Sequence, residues 1–365
     1  MDRLREGLRS WGQLFTPAHF PYGRFALALA IGGVGSFVFL TLNLPLPWML
    51  GAMCACTLAT LVRAPVAAPE VVRPPMTVVI GVMLGAGFSP QVIENALEWL
   101  PTIAGLAGFV LLAGAACVTY FRLFAKFDLP TAYFAGMPGG LVEMVVIGGE
   151  KGGDTRTIAL VHSARVLLVV MALPFLVQLL TGTALGPRAQ VGTSILHTPW
   201  RDEAWFLITA LAGVALGWVL RLPARLLVGP MLASAVVHVS GVTHFVPPTE
   251  IAIAAQLVLG TTIGCRFAGS TPREILRILW LTLLSTVILL VLTLIFAFGI
   301  SRISDYDVVP LLLAYSPGGL AEMSLVALSL GIEVAFVASH HIVRVIFVML
   351  AAAPLFALLK RSARR

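Results

Sequence analysis

Met137-Pro138-Gly139-Gly140-Leu141-Val142-Glu143-Met144 interrupts a long apolar run, and 179 residues later the chain reads Ser316-Pro317-Gly318-Gly319-Leu320-Ala321-Glu322-Met323. The same offset pairs Asp128 with Asp307, His162 with His341 and Arg165 with Arg344. It also pairs Gly81, Gly85 and Phe88 with Gly260, Gly264 and Phe267. Nearer the start of each copy the offset is 178, matching Pro45, Gly51 and Met53 to Pro223, Gly229 and Met231. Apolar composition can align leucine with valine by chance, but it does not reproduce glutamate, histidine and arginine positions. The chain therefore reads as two copies of one unit. The copies span 24–181 and 203–359, with an N-terminal arm at 1–23, a polar linker at 182–202 and a basic tail at 360–365.

Composition places those copies in lipid. Residues of the AVILMFWYC set make up 59% of the chain and charged residues 11%, against about 45–50% and about 25% in soluble domains. One soluble core cannot hide that much apolar surface, whereas a bilayer accepts about 20 apolar residues per crossing helix. The net charge of +7 lies in short basic clusters between apolar runs, with no basic stripe, zinc spacing or helix-turn-helix pattern, so direct nucleic-acid binding is not expected. Cys54, Cys56, Cys117 and Cys265 all lie in apolar runs and form no CxxC, so they read as small packing residues. Arg3, Arg5, Arg9 and Arg24 precede an apolar run too long for a cleavable signal, which predicts a cytoplasmic arm.

Each copy holds six apolar segments: about 24–43, 46–63, 75–93, 100–121, 130–149 and 156–181, then about 203–220, 224–243, 250–268, 276–300, 307–330 and 332–359. Pro74-Pro75 and Pro247-Pro248 mark loops before the third segments. Pro-Gly-Gly should break the fifth segment of each copy, because proline lacks a donor and glycine frees the backbone. Irregular backbone at membrane depth survives only under cover of protein or a water-filled cavity. If all twelve segments crossed, 15 Lys/Arg would lie inside and 7 outside. If both broken segments re-enter on one side, 19 lie inside and only Arg188, Arg201 and Arg302 outside, with Arg165 and Arg344 within the membrane. The positive-inside rule selects the second arrangement. The expected fold is an all-α integral membrane protein of two inverted repeats, each of about five crossing helices plus one re-entrant Pro-Gly-Gly hairpin, with both termini cytoplasmic.

Inverted repeats with broken helices place a solute near the midplane, where half-helix N-termini point at it. Gly139-Gly140 and Gly318-Gly319 would each open such a half-helix. Intramembrane charges are expensive and mark pathways. The expected solute-binding residues are accordingly Gly139, Gly140, Glu143 and Arg165 with Gly318, Gly319, Glu322 and Arg344. His162, His341, Glu143 and Glu322 are the candidates for carrying coupling protons. His162 shares a helix face with Arg165, as His341 does with Arg344, and His340 stands beside the second pair. Each glutamate is expected to approach the arginine of the next helix, since buried charges persist when paired. Asp128 and Asp307 read as helix caps. Gly81-x3-Gly85 and Gly260-x3-Gly264 read as close helix contacts more readily than as ligand contacts.

The doubled Pro-Gly-Gly-Leu-x-Glu-Met, the Leu-Pro-x5-Gly-x-Met near each copy's start and the Gly-x3-Gly-x2-Phe segments resemble the AbrB family of duplicated bacterial membrane proteins, over about residues 25–360. The small soluble DNA-binding regulator of the same name is not similar. The resemblance implies a multi-pass protein of the bacterial inner membrane. Members are described as regulators of gene expression, and some carry an ammonia monooxygenase label. It supplies no catalytic residue. Three classes follow: a secondary transporter or permease for a small, potentially anionic solute bound between the repeats; a membrane-bound regulator acting indirectly, since no polar stretch exceeds about 20 residues; and, as the poorest fit, a copper monooxygenase. The last wants clustered ligands, whereas His19, His197, His238 and His244 are scattered. The expectation is thus a non-enzyme without metal or cofactor, whose partners are the lipid bilayer and a small solute, a homo-oligomer being compatible.

Overall fold

The computed structural model describes residues 16, 20–90, 95–182 and 193–362. Most of the expected arm, with His19, most of the linker, with Arg188, the end of the third segment and the last tail residues lie outside the described residues. No strand occurs among those described. The first half contains α1 (Tyr22–Thr41), a π-turn (Pro47–Gly51) leading into α2 (Ala52–Leu61), α3 (Arg73–Gly85), α4 (Leu100–Leu123), α5 (Leu129–Gly136), α6 (Leu141–Glu150) and α7 (Thr155–Thr181). The second contains α8 (Trp200–Val219), α9 (Arg225–Val239), α10 (Thr249–Gly264), α11 (Pro272–Ile300), α12 (Val308–Tyr315), α13 (Leu320–Leu330) and α14 (Val334–Ser362).

Every expected apolar segment carries a helix, and the fifth of each copy is split in two at its Pro-Gly-Gly. Among the described residues, seven stretches are long and apolar enough to cross a membrane: those built on α1, α4, α7, α8, α10, α11 and α14. The 13 residues of α3 span only about 20 Å at 1.5 Å per residue. Pro74-Pro75 do not form a loop. They occupy the first turn of α3, where a missing N–H removes no helical bond and a fixed φ suits the helix. Pro248 does precede its helix, as the residue before α10. Trp200 already begins α8, so the linker ends slightly earlier than expected.

The glycine pairs lock the two halves together. A Cβ on Gly81 or Gly85 of α3 would run into Leu227 O or Met231 O on α9. A Cβ on Gly260 or Gly264 of α10 would run into Met49 O or Met53 O on the π-turn and α2. Leu227 and Met49, and likewise Met231 and Met53, stand at matching positions 178 residues apart. Each half therefore presses its third helix onto the second helix of the other half, with bare backbone at the contact, as small-xxx-small spacing predicts. Around this lock, α11 lies against α4 and α7, and α12 lies between α11 and α14. The short helices α5 and α12 are enclosed: Thr131 to Gly136 and Leu311 to Tyr315 are buried. That enclosure satisfies the requirement that broken backbone be covered.

Candidate functional site

At each break the second helix starts on an extended glycine: Gly140 before α6 and Gly319 before α13. Both φ values are negative, −66° and −77°, so the backbone itself does not demand glycine; the bare position leaves room for the folded-back carboxylate. A Cβ on Gly140 would meet the Glu143 carboxylate, and one on Gly319 the Glu322 carboxylate. Each glutamate is the third residue of its helix and folds back over the helix start. The unpaired N–H groups and positive dipole end there favour a carboxylate.

The arginines are held from the other side of each break. Arg165 donates from Nη1 to Ala135 O (3.4 Å) and from Nη2 to Met137 O (3.2 Å). Arg344 donates from Nη1 to Ser316 O and from Nη2 to Gly318 O (2.7 Å). These are carbonyls at and just past the C-terminal ends of α5 and α12, which lack helical partners. Each guanidinium also donates to the histidine one turn before it, Arg165 to His162 Nδ1 at 2.6 Å and Arg344 to His341 Nδ1 at 3.0 Å. The expected glutamate–arginine pairs do not form. Each half-helix end satisfies its own counter-charge locally, carboxylate at the N-terminus and guanidinium at the C-terminus. The ion pairs among the described residues are Arg73–Glu322 at 3.8 Å and Arg156–Glu274 at 2.9 Å.

The same bonds fix the imidazoles. His162 Nε2 lies 2.8 Å from Phe134 O, and His341 Nε2 lies 3.0 Å from Leu313 O. A carbonyl only accepts, so Nε2 carries the proton and Nδ1 accepts from arginine. A second proton would break the arginine contact and set two cations side by side. In this arrangement His162 and His341 accept from the arginines and so orient them. His340 points elsewhere, onto Thr102 Oγ1 and Phe336 O. Asp128 and Asp307 do stand at the N-caps of α5 and α12, but without a side-chain capping bond. Side-chain caps form instead at Thr271 on α11, accepting from Glu274 N, and at Asp154 on α7, accepting from Arg156 N, Thr157 N and the Thr157 hydroxyl. The Thr157 hydroxyl bond foremost, then these backbone bonds and nearby Arg156, hold its carboxyl below the usual range.

All eight expected solute-binding residues line one cavity of about 520 Å³. Its inner end is buried: Arg165 and Arg344 are each 3% exposed and Glu322 4%. Its outer end reaches exposed Glu70 and Arg225, the latter stacked on Trp218 at 3.4 Å. His162 borders the cavity, whereas His341 stands behind Arg344. Arg73 and Arg266 also line it, although their place in the sequence suggested only loop cations. The signal that would have found them is departure from the duplication. Arg266 stands between Gly264 and Phe267 where the other copy has Gly87, and Arg73 answers to Ala252. A second space of about 410 Å³ adjoins the first and shares Arg73, Arg266, Leu141 and Val142 with it.

Comparison with known proteins finds relatives over nearly the whole chain. A Bacillus subtilis (strain 168) protein, "Uncharacterized protein YhjN", is 29% identical over 353 residues, covering 91% of this chain and 92% of its own. An Escherichia coli (strain K12) protein, "Putative regulator AbrB", is 27% identical over 344 residues, covering 93% of each. The family described as "Transition state regulatory protein AbrB" matches residues 48–360, a span that takes in both Pro-Gly-Gly breaks, both arginines and both glycine pairs. With that match extending through both halves and the cavity between them, the chain belongs to the AbrB family.

Proposed function

We propose that this protein is a secondary transporter or permease for a small solute bound between two inverted repeats. The carrying observation is that one cavity is walled by both Pro-Gly-Gly breaks, both glutamates and both buried arginines. Two half-helix N-termini at one enclosed point are a recurrent means of holding a solute in a membrane. In this reading α5–α6 and α12–α13 are re-entrant hairpins, and ten other helical segments cross the bacterial inner membrane. The short helices α2, extended by its π-turn, and α3 are among them, and both termini are cytoplasmic. The interlocked contacts of α3 with α9 and of α10 with α2 support the repeat relation. With the imidazoles fully occupied, Glu143 and Glu322 are the groups that would carry coupling protons. A carboxylate protonated in place would release the helix N-terminus it now covers. Any regulatory role, of the kind the E. coli relative's name "Putative regulator AbrB" carries, would follow from solute flux.

The test is flux in proteoliposomes, with Glu143→Gln and Arg344→Ala expected to abolish uptake while the protein still inserts and folds. Full activity in both variants would remove the site assignment.

A further inference from the structure

The cavity carries more cationic than anionic side chains, Arg73, Arg165, Arg225, Arg266 and Arg344 against Glu70, Glu143 and Glu322. Among the described residues its two deepest cations, Arg165 and Arg344, have no ion-pair partner. Glu322 is committed to Arg73, while Arg165 and Arg344 are held only by carbonyls and histidines. Each also keeps one buried donor, its Nε–H, with no acceptor. Lining the cavity without an ion-pair partner among the described residues, the two guanidinium groups favour a solute oxygen bearing negative charge. Beyond them the wall is apolar: Leu141, Val166, Leu227, Leu259, Leu320 and Val345. A fully hydrated inorganic anion would leave that wall unmatched, and an organic cation would meet the arginines with like charge.

We infer that the solute is an organic carboxylate with an apolar body, its oxygens accepting from Arg165 and Arg344 and its body lying on the leucine and valine wall. The inference deepens the permease reading and rests on it for its biological meaning, but its binding chemistry is testable alone. The full chain, purified in detergent, is melted with hexanoate, benzoate, acetate, inorganic phosphate or hexylammonium. Hexanoate and benzoate should raise the melting temperature saturably, because a ligand bound only by the folded state stabilises it. Acetate should act only at about tenfold or higher concentration, since it lacks the apolar body. Phosphate and hexylammonium should not act. Arg344→Lys keeps the charge but not the fixed fork, and should weaken hexanoate about tenfold or more. Arg165→Lys serves equally if the first variant does not fold, and the ligand panel on the unaltered protein needs neither. Phosphate or hexylammonium binding as tightly as hexanoate, or hexanoate held equally by both lysine variants, overturns the inference. Carboxylate binding without flux of any solute would keep the inference and remove the permease reading. Glu143-dependent flux of another solute class would keep the permease reading and remove the inference.

Discussion

Glu143 and Glu322 are twins in sequence and differ in setting. Glu322 is 4% exposed and lies 3.8 Å from Arg73. Glu143 is half-buried and has no arginine in that role, because Ala252 stands where the duplication would put one. A double-mutant cycle should therefore find coupling between Glu322→Gln and Arg73→Gln, and none between Glu143→Gln and Arg73→Gln. The coupling is expected at about 1 kcal/mol in thermal stability. That is nearer the exposed-pair range than the buried one, since Arg73 is 31% exposed and the contact is long. Equal coupling for both glutamates would mean that the asymmetry is incidental. The important residue types were legible from the doubled motif, but the pairing was not. Sequence spacing put glutamate and arginine on neighbouring helices. It could not show that each would be drawn first to the nearer half-helix end.

At the scale of the helices, Pro-Gly-Gly gave the breaks and apolar run length gave the rest, while Pro74-Pro75 misled because a proline pair suits a first turn as well as a loop. The glycine pairs make the sharpest test of how the helices pack. Gly81→Ala and Gly260→Ala each drive a methyl into a facing carbonyl that only a backbone shift can relieve. Each should lower stability by about 1–3 kcal/mol. Gly33→Ala, in α1 with nothing within 4 Å of the new Cβ, should be neutral or stabilising by up to about 1 kcal/mol through helix propensity. Thermal melts in detergent would rank them, and equal melts for all three would rule out the interlocked contact as a source of stability. For α7 the relevant device is its cap. Asp154→Ala should cost about 1 kcal/mol at neutral pH. Because the carboxyl is held below its ordinary range, that stabilisation is complete above the unfolded value of about 3.9. It is lost as pH falls through the lowered folded value. Wild-type and variant melts should therefore converge only in strong acid. Convergence near neutrality would assign the effect to something other than this carboxylate.

The whole molecule is less symmetric than its sequence, and that is where the duplication says least. At matching positions Val142 is 62% exposed and Ala321 8%, and Val146 is 54% exposed and Leu325 1%. The second broken segment, through α13, packs on α3 and α7 of the other half, whereas α6 makes no comparable contact with α10 or α14. Under the permease reading, two similar halves would adopt this asymmetry in either sense, with α6 enclosed and α13 released in the alternative, and exchange between them would carry the solute from one face to the other. The two senses would then differ by a few kcal/mol, enough for one to dominate while the other stays reachable. In that reading the Arg73–Glu322 pair, for which no twin stands among the described residues, would bias the chain toward the sense seen here. With the native cysteines removed, Val142→Cys should react with a membrane-impermeant maleimide through the cavity, and Ala321→Cys should react slowly. Adding Arg73→Gln should reverse the ranking, slowing the first position and speeding the second, in the same membranes and from opposite faces. If the two positions instead speed up together, Arg73→Gln has merely loosened the protein. If neither changes, the Arg73 pair does not set the balance, and the asymmetry is a fixed property of the fold.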